Sequence, residues 1–339
     1  MRKRILIVNN NNHSALKPNI IKYFKALKLY NIFSINNYKK RVKLSFLEKV
    51  FNKLRIPIDI SNFNKRVIIK VKKVNPDIIF VIKGNNIYPS TISKIRTFNQ
   101  NIKLVNWSLD NMLKKHNSSR YYDLCLNKYD IHFTTKSNTI QDFYKRGAKK
   151  VIFLNQAYSQ DDHFPEKFNK DYDHDVLFIG SAEKERFNSL KYLAVNGIKV
   201  DIYGDMWDSK IYKPNKNLII HKKPLVSDSY RKAISSSKIS LCFLRKINND
   251  IHTTRSIEIP ACGGFMIAER THEHKLLFEE GKEAVYFSTD KELLTKVKYY
   301  INNDFERNKI KKQGYLRAVN SKYDYSNMIN KILKLLEHE

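Results

Sequence analysis

The residue types best suited to binding chemistry are concentrated in one segment, Asp250 to Ala268. Within it, Asp250 is followed after seven intervening residues by Glu258, which lies in a predicted helix of small and apolar residues. The N-terminus of a helix presents free backbone N–H groups and the positive end of the helix dipole, and both favour a diphosphate. Arg255 adds a cation that can hydrogen bond to two phosphate oxygens at once. Glu258, one turn further on, can accept hydrogen bonds from ribose hydroxyls.

The same predicted helix ends at Gly263-Gly264 and leads directly into an apolar strand. Glycine permits the tight turn that such a helix-to-strand connection needs. Together with the charged residues before it, this turn predicts a nucleotide-sugar site. An ordinary helix C-cap beside a surface ion pair would have the same sequence, so both interpretations stay open on this segment alone.

Short apolar runs alternate with helical patterns along most of the chain, which is typical of parallel sheets covered by helices on both faces. Strands are predicted at residues 5–8, 31–35, 78–82, 104–107, 131–134, 151–154, 176–180, 199–204, 218–221, 239–243, 265–268 and 284–287. Helices are predicted at residues 18–29, around 43–55, before residue 75, and at 186–194, 230–236, 254–262, 291–302, 305–319 and 325–336.

The composition changes at residues 160–175, which are polar, charged and poor in aliphatic residues. We interpret this segment as a linker between two α/β domains, each with its own parallel sheet. The expected domains are residues 1–165, residues 172–324 and a C-terminal helix, 325–339, that could pack back on the first domain.

The net charge of the 339-residue chain is +30, and it is unevenly distributed. Residues 1–150 contain 32 Lys and Arg against 7 Asp and Glu, a net +25, whereas the remaining residues carry only +5. A coding bias toward Lys and Asn would spread evenly along the chain. The N-terminal half is therefore predicted to face an anionic partner: a membrane surface, a phosphorylated lipid carrier or a nucleic acid.

The predicted helix around residues 43–55 is basic and amphipathic, although an ordinary surface helix would show the same pattern. The cations that we expect to contact an anionic membrane or acceptor are Lys43, Lys49, Lys53 and Arg55. No apolar run reaches the roughly 20 residues that span a bilayer. Residues 5–8 are too short a run for a signal-peptide core. We expect a cytoplasmic protein, or one bound peripherally to the inner face of the membrane.

The cysteines predict neither a metal site nor a disulfide framework. Cys125, Cys242 and Cys262 lie in apolar surroundings without metal-ligand spacing. We expect them to be small buried residues in a reducing compartment.

Residues 255–263 resemble the Arg-x-x-Glu-Ile-Pro-Ala-Cys-Gly pattern of the CgeB-like (spore maturation protein-like) branch of the group 1 glycosyltransferases. Residues 277–285 are similar to the Phe-x-x-Gly-x-Glu continuation of that family, and residues 76–84 and 107–111 to its N-terminal signatures. The resemblance covers roughly residues 70 to 335. It implies the GT-B fold, an α/β architecture of two Rossmann-like domains whose parallel sheets face a cleft.

The resemblance also implies the reaction. A sugar would pass from a UDP- or GDP-sugar, with no further cofactor, to a glycan, lipid-linked or protein acceptor in cell-surface polysaccharide synthesis. Retaining GT-B enzymes carry Glu-x7-Glu, and here the first position is Asp250, a shorter carboxylate. Asp250 reaches less far toward the donor sugar than a glutamate would, and this departure leaves both a retaining and an inverting reaction open.

Further donor-binding residues follow from the same resemblance. Gly180 and Ser181 would approach the donor and Arg186 would reach the diphosphate, with Lys184 as a competitor for that task. Aromatic and glycine residues at the place where the nucleotide base commonly binds are Tyr203, Gly204 and Tyr230. For both tyrosines, simple core packing explains the position equally well.

Asp110 is the candidate catalytic carboxylate of the N-terminal half, because it follows a predicted strand in a Trp-x-x-Asp pattern similar to that of the family. In an inverting enzyme it would be the general base for the acceptor hydroxyl. In a retaining enzyme it would only position the substrate, and a turn or helix-capping aspartate is an equally good interpretation. His116 and His132 are weaker candidates, better explained as surface or packing residues.

No metal site is expected. Glycosyltransferases of the other common fold hold a cation through Asp-x-Asp, and residues 171–173 and 173–175 have that spacing. Both lie in the polar linker, so we interpret them as a solvated charge run. In the GT-B scheme, Arg, Lys and helix dipoles neutralise the leaving diphosphate.

Two other functions remain possible from the sequence. A basic nucleic-acid-binding protein fits the charge and the aromatic content, but no RNP-like, helix-turn-helix or zinc motif accompanies them, and no nucleic-acid partner is expected. A GT-B-fold sugar-nucleotide epimerase, or a binder without transfer, would share the donor site.

Overall fold

The computed structural model describes residues 2–9, 19–26, 29–37, 50–51, 53–208 and 210–337. The chain divides into two compact units. The first comprises residues 1–155 together with 329–339, and the second comprises residues 156–328. The polar segment 160–175 therefore lies wholly within the second unit.

The first unit contains a six-stranded parallel sheet in the order β2-β1-β3-β4-β5-β6. Its strands are β1 (Arg4–Asn9), β2 (Asn31–Asn36), β3 (Ile78–Ile82), β4 (Lys103–Ser108), β5 (Ile131–Thr134) and β6 (Val151–Phe153). The helices described between them are α1 (Asn19–Ala26), α2 (Phe63–Val74), α3 (Pro89–Phe98), α4 (Arg120–Cys125) and α5 (Ile140–Lys145).

The second unit repeats this plan, with a six-stranded parallel sheet in the order β12-β11-β10-β7-β8-β9. Its strands are β7 (Val176–Ile179), β8 (Val200–Tyr203), β9 (Leu218–Ile220), β10 (Ile239–Cys242), β11 (Met266–Glu269) and β12 (Val285–Phe287). Its helices are α6 (Lys184–Val195), α7 (Asp228–Ser236), α8 (Arg255–Ala261), α9 (His272–Leu277), α10 (Asp290–Asn302) and α11 (Asp304–Asn320). The last helix, α12 (Tyr325–Glu337), closes the described chain.

The predicted α/β class and the parallel sheets are confirmed, and each predicted strand falls on an observed one with its ends shifted by at most one residue. The short helices α3, α4, α5 and α9 are not predicted, because their apolar residues are too few to form a clear 3.6-residue pattern. None of the helices within the described ranges combines the length and the apolar character that crossing a bilayer requires.

The strand order of the second unit determines where a ligand can bind. From β7 the chain passes to β8 on one side, whereas β10 pairs with β7 on the other side. The connections that follow β7 and β10 therefore diverge to opposite faces of the sheet. In open parallel sheets, a ligand-binding crevice forms outside the carboxyl ends of the strands at such a switch point.

Helix α8 is held at this crevice by close packing against α11. Gly314 lies in the middle of α11, where glycine costs about 1 kcal/mol relative to alanine. A Cβ atom at this position would overlap the carbonyl oxygen of Glu283 and lie 3.7 Å from Cβ of Pro260 in α8. The missing side chain therefore lets α11 pack directly against the carbonyl of Glu283, while Pro260 of α8 lies at ordinary contact distance.

Candidate functional site

The loop after β7 runs close to the end of β8, and two of the predicted donor-binding glycines make this approach possible. The N–H of Gly180 donates to the carbonyl of Tyr203 (2.9 Å), and its own carbonyl accepts from Nε1 of Trp207 (2.8 Å). Gly204 has a φ of +141°, and a Cβ atom there would overlap the carbonyl of Gly180. These contacts explain both glycines by backbone packing. Ser181 in the same loop is exposed.

Arg186, in the first turn of α6, connects the two strands of the switch point. Its guanidinium donates to the carbonyl of Ser181 after β7 (3.1 Å) and to the carbonyl of Phe243 after β10 (3.5 Å). The residue is 2% exposed. Burial, and after it the positive charge of Arg255, lower the pKa of Arg186 to about 10. The guanidinium therefore stays charged at neutral pH. Lys184 begins the same helix and is exposed to solvent.

Arg255 is the first residue of α8 and is half-buried at the same crevice. Its Nε atom and that of Arg186 are both buried, and neither has a hydrogen-bond partner among the described residues. A buried N–H donor without a partner costs about 1–3 kcal/mol. Two cations that share one environment and retain buried donors form a site suited to an anion with several oxygens, such as a diphosphate.

The start of α8 is fixed by a chain of buried hydrogen bonds. Oγ of Ser256 accepts from the N–H of Thr253 (2.9 Å) and contacts Nε2 of His274 (2.7 Å). Nδ1 of His274 lies 2.6 Å from the carbonyl of Glu269, which can only accept, so Nδ1 carries the proton and Nε2 accepts from Ser256. Burial lowers the pKa of His274 to about 4, which keeps this neutral tautomer at physiological pH.

Glu258 lies one turn beyond Arg255, as predicted, and its carboxylate is held from two sides. Tyr230 donates its hydroxyl to Oε2 of Glu258 at 2.8 Å. Burial, and next the negative charge of Glu258, raise the pKa of Tyr230 well above its usual range, so this hydroxyl remains a donor. Nε2 of His163 lies 3.7 Å from the other oxygen, Oε1. His163 is oriented by the N–H of Ser159, which donates to its Nδ1 at 3.0 Å.

A polar pocket of about 470 Å³ opens beside Arg186 at the carboxyl ends of β10, β11 and β12. Glu269, the last residue of β11, lines the pocket. Burial raises the pKa of its carboxyl, although the N–H of Leu244 donates to the carboxylate at 3.0 Å. Arg270, the next residue, is tied to Glu280 (2.6 Å) and Glu292 (2.7 Å). The lining of the pocket thus includes the ion-paired Arg270 and the buried cation Arg186.

Tyr203 does not reach this pocket. Its ring is buried and stacks on His221 at 4.0 Å, and its hydroxyl lies 3.2 Å from Nε2 of His174. Both histidines contact the carboxylate of Asp201, at 2.7 Å for His221 and 3.2 Å for His174. The structure therefore places Tyr203 in a buried polar cluster at the end of β8, and its role in donor binding stays a prediction.

Gly263 and Gly264 form the turn that the sequence predicts after α8. Gly263 has a φ of +65°, and a Cβ there would lie 3.1 Å from Pro165. A Cβ on Gly264 would meet Ile234 of α7 at 2.5 Å. Both glycines thus serve the backbone turn and close packing. Asp250 lies half-buried in the turn before α8, with its N–H donating to the carbonyl of Arg245 at 3.2 Å.

The polar segment 160–175, predicted as a linker, is tied to the body of the second unit. The backbone N–H groups of Glu166 and Asn169 donate to Ser235 (3.0 Å) and Ser236 (2.9 Å) of α7. Of the Asp-x-Asp residues, those at 171 and 173 are exposed, and Asp175 pairs with a lysine at 2.6 Å. No group of three or more His, Cys, Asp or Glu side chains in the described ranges is arranged to hold a metal ion.

In the first unit, Asp110 lies just beyond the carboxyl end of β4, and Lys83 just beyond that of β3. Nζ of Lys83 and Oδ2 of Asp110 are 2.9 Å apart, and both side chains are partly exposed. His132 is fully buried: Nε2 lies 2.8 Å from the carbonyl of Leu126, and burial lowers the pKa of His132 to about 4. A buried, neutral His132 serves the core of this unit.

The predicted basic helix around residues 43–55 lies largely outside the described residues, and Lys43 and Lys49 are among those not described. Lys53 is exposed. Arg55 is instead committed to its own unit, since its guanidinium binds Asp123 at 2.9 Å and the hydroxyl of Ser118 at 2.7 Å. Arg55 is therefore a poor candidate for a contact with an anionic surface.

Among the residues of the site that were not identified from the sequence are His163, Glu269 and Arg270. His163 lies in the polar segment, where its composition gives no sign of a contact with α8. Glu269 and Arg270 did carry a signal, because they directly follow a predicted strand whose neighbours end at the same edge of a parallel sheet.

Comparison with known proteins agrees with this architecture. Residues 184–334 match the family model described as glycosyl transferase-like. No curated protein sequence gives a significant match. The chain is similar to the structure of a glycosyltransferase from Rickettsia africae ESF-5, at 14% identity and a TM-score of 0.67 over 99% of this chain and 98% of that chain.

Two further solved structures show the same likeness. Anabaena HepE in complex with UDP-glucose is 11% identical, with a TM-score of 0.67 over 99% of this chain and 100% of that chain. Sucrose-phosphate synthase from Thermosynechococcus elongatus is 11% identical, with a TM-score of 0.68 over 99% of each chain. At these identities the likeness establishes the fold. The chain has the GT-B fold, and most of its second unit lies within the part that matches the glycosyl transferase-like family.

Proposed function

We propose that the protein is a glycosyltransferase of the CgeB-like branch of the group 1 enzymes, which transfers a sugar from a UDP- or GDP-sugar. The observation that carries this proposal is the arginine pair at the switch point of the second sheet. Arg186 and Arg255 each retain a buried Nε donor without a partner in the described chain, and Glu258 lies one turn from Arg255. The two guanidinium groups suit the diphosphate of a nucleotide, and the Glu258 carboxylate suits the hydroxyls of the adjoining ribose.

The reaction we propose is independent of a metal ion. When the donor's glycosidic bond breaks, negative charge develops on the leaving nucleoside diphosphate. Arg186 and Arg255 are cations beside that position, and Lys184 at the N-terminus of α6 is a third. Because Arg186 is held by the carbonyls of Ser181 and Phe243 before the donor arrives, it stabilises this charge without reorganisation.

The acceptor side is assigned to the first unit. Its net charge of +25 over residues 1–150 fits an acceptor that carries phosphate or lies at an anionic membrane. The acceptor class we favour is a lipid-linked precursor or cell-surface glycan, with the protein bound peripherally at the cytoplasmic face of the membrane. Asp110 is the candidate general base if the enzyme inverts.

A thermal-shift panel of nucleoside diphosphates tests the donor assignment. A ligand that binds only the native state stabilises it by about 2.7 kcal/mol at a hundredfold excess over its Kd, so the correct base should stand out. Arg255→Gln and Glu258→Gln should each abolish that stabilisation and donor hydrolysis. Glu306→Gln, at a half-buried glutamate of α11, is the matched control and should leave both unchanged.

The product distinguishes transfer from the alternatives. An epimerase would interconvert sugar nucleotides without an acceptor, whereas transfer releases a nucleoside diphosphate in proportion to the glycosylated product. Donor hydrolysis and transfer that survive both Arg255→Gln and Glu258→Gln would overturn the proposal. Binding of random RNA and DNA in a gel shift, with no nucleotide-dependent stabilisation, would favour the nucleic-acid alternative.

A further inference from the structure

The outer face of α2 is a continuous basic surface. The helix is anchored to its unit by buried residues, among them Phe63, Val67, Val71 and Val74. At 3.6 residues per turn, the residues on the opposite side share one exposed face. These residues are Lys65, Arg66, Ile69, Lys72 and Lys73, and we call them the α2 face.

The charge of the α2 face is uncompensated. The sequence of α2 contains no acidic residue, so no carboxylate lies within the helix itself. None of its four exposed cations forms an ion pair with a carboxylate in the described parts of the chain. The guanidinium of Arg66 lies over the ring of Phe63, 5.6 Å from its centroid. The cations are thus free to face an external anion.

An apolar side chain lies at the centre of these charges. Ile69 is 56% exposed and, by helical spacing, falls midway between the outermost cations of the face, Arg66 and Lys72. At a water-exposed surface this isoleucine gains nothing. In a membrane interface it would enter the boundary between headgroups and acyl chains, while the lysine ammonium groups reach the lipid phosphates.

We infer that the α2 face docks on an anionic lipid surface, with Ile69 inserted among the headgroups. The inference rests on the membrane association within the proposed function, and it places the contact on α2 instead of the helix around residues 43–55. A nucleic acid would satisfy the four cations but would leave Ile69 exposed. The lipid surface therefore accounts for all five residues of the face.

Vesicle sedimentation of the full chain tests the inference. The vesicles contain phosphatidylcholine alone, or with 30% phosphatidylglycerol, at low and at high salt. We expect binding only to the anionic vesicles, weakened by salt because the attraction is electrostatic. Each lysine near an anionic surface contributes about 1 kcal/mol, or roughly fivefold in partitioning. Lys72→Gln with Lys73→Gln should therefore reduce binding roughly 30-fold.

Two further variants separate this face from general charge and from nucleic acid. Lys309→Gln with Lys312→Gln removes two exposed lysines from α11 and should change vesicle binding less than twofold. Ile69→Asn keeps every charge and should reduce vesicle binding at least about fivefold. The same Ile69→Asn protein should bind random duplex DNA or RNA as the unmodified chain does.

Several results would overturn the inference. One is equal loss of vesicle binding in the α2 and α11 double variants, which would indicate diffuse charge. Another is unchanged vesicle binding in Ile69→Asn together with a Lys72- and Lys73-dependent gel shift, which would indicate nucleic acid. Thermal melts confirm that each variant folds. Donor hydrolysis should be normal in all of them, so a failure here is distinguishable from a failure of the proposed transfer reaction.

Discussion

Replacing Tyr230 by Phe removes one hydroxyl and tests whether Glu258 is oriented for the donor. The hydroxyl donates to Oε2 of Glu258 at 2.8 Å, and the carboxylate side chain is 17% exposed. A hydrogen bond to a charged group contributes about 1.5–3 kcal/mol, and partial exposure of the carboxylate moves the expected loss toward the lower end. The free energy of unfolding of the second unit should fall by about 2 kcal/mol.

The donor affinity should change separately from this stability. Without the hydroxyl of Tyr230, Oε2 of Glu258 is no longer fixed, and the donor must order that side chain on binding. Ordering one such side chain costs about 0.5–1.5 kcal/mol, so KM for the donor should rise roughly 2- to 13-fold while kcat changes less. Steady-state hydrolysis of the donor, at a temperature where the variant is fully folded, measures both constants.

Tyr203→Phe is the matched control. It also removes a buried tyrosine hydroxyl from the second unit, one that lies 3.2 Å from His174 and does not contact Glu258. We expect it to destabilise the unit with KM unchanged. An unchanged KM in Tyr230→Phe, or an equal rise of KM in both variants, would refute the idea that this hydroxyl prepares Glu258 for the donor.

Three other perturbations have defined outcomes. Gly204→Ala should lower the unfolding free energy by about 3 kcal/mol or more, because the added Cβ overlaps the carbonyl of Gly180 at a φ of +141°. Gly197→Ala is the control: its Cβ meets open space, so the same denaturant titration should show a smaller loss of unfolding free energy. Burial lowers the pKa of His274 in the folded state to about 4. The contribution of the neutral imidazole to the unfolding free energy is therefore complete above about pH 6.5 and is lost as the pH falls toward 4. His274→Gln should flatten that part of the curve of unfolding free energy against pH. If the Asp110 carboxylate is the general base, Asp110→Asn should reduce kcat by roughly 10²- to 10⁴-fold at constant KM. If the carboxylate serves its ion pair with Lys83 instead, the same substitution should lower the unfolding free energy by less than about 1 kcal/mol and leave activity unchanged.

The strands and the glycine-bounded turn after α8 could be predicted because their signals are local. A parallel strand buried on both faces is a short apolar run, and a turn with positive φ selects glycine at Gly263 whatever surrounds it. The partners of side chains are not local. Glu258 meets Tyr230, 28 positions earlier in the chain, and also His163 from a polar segment that resembles a linker. Such contacts depend on how helices pack, which the period of a sequence does not encode.

Tyr203 is a residue whose position along the chain could be predicted but whose side-chain contacts could not. Its place at the end of a strand is a correct local inference, and strand ends are where ligands bind in such sheets. Yet side chains alternate between the two faces of a strand, and Tyr203 points to the same face as Asp201, two residues earlier. The histidines that surround Asp201 come from residues 174 and 221, so only the assembled sheet shows that the face is already filled.

Arg186 shows why the position needs an arginine even though it is nearly buried. An arginine has five N–H donors in a fixed plane, whereas a lysine has one ammonium group. Two of those donors hold the carbonyls of Ser181 and Phe243, which fixes the ends of β7 and β10 relative to each other. The Nε donor is left without a partner in the described chain. One side chain can thus bind both strand ends and still offer a charged donor from a third nitrogen, whereas a lysine would have to make all three contacts from one nitrogen.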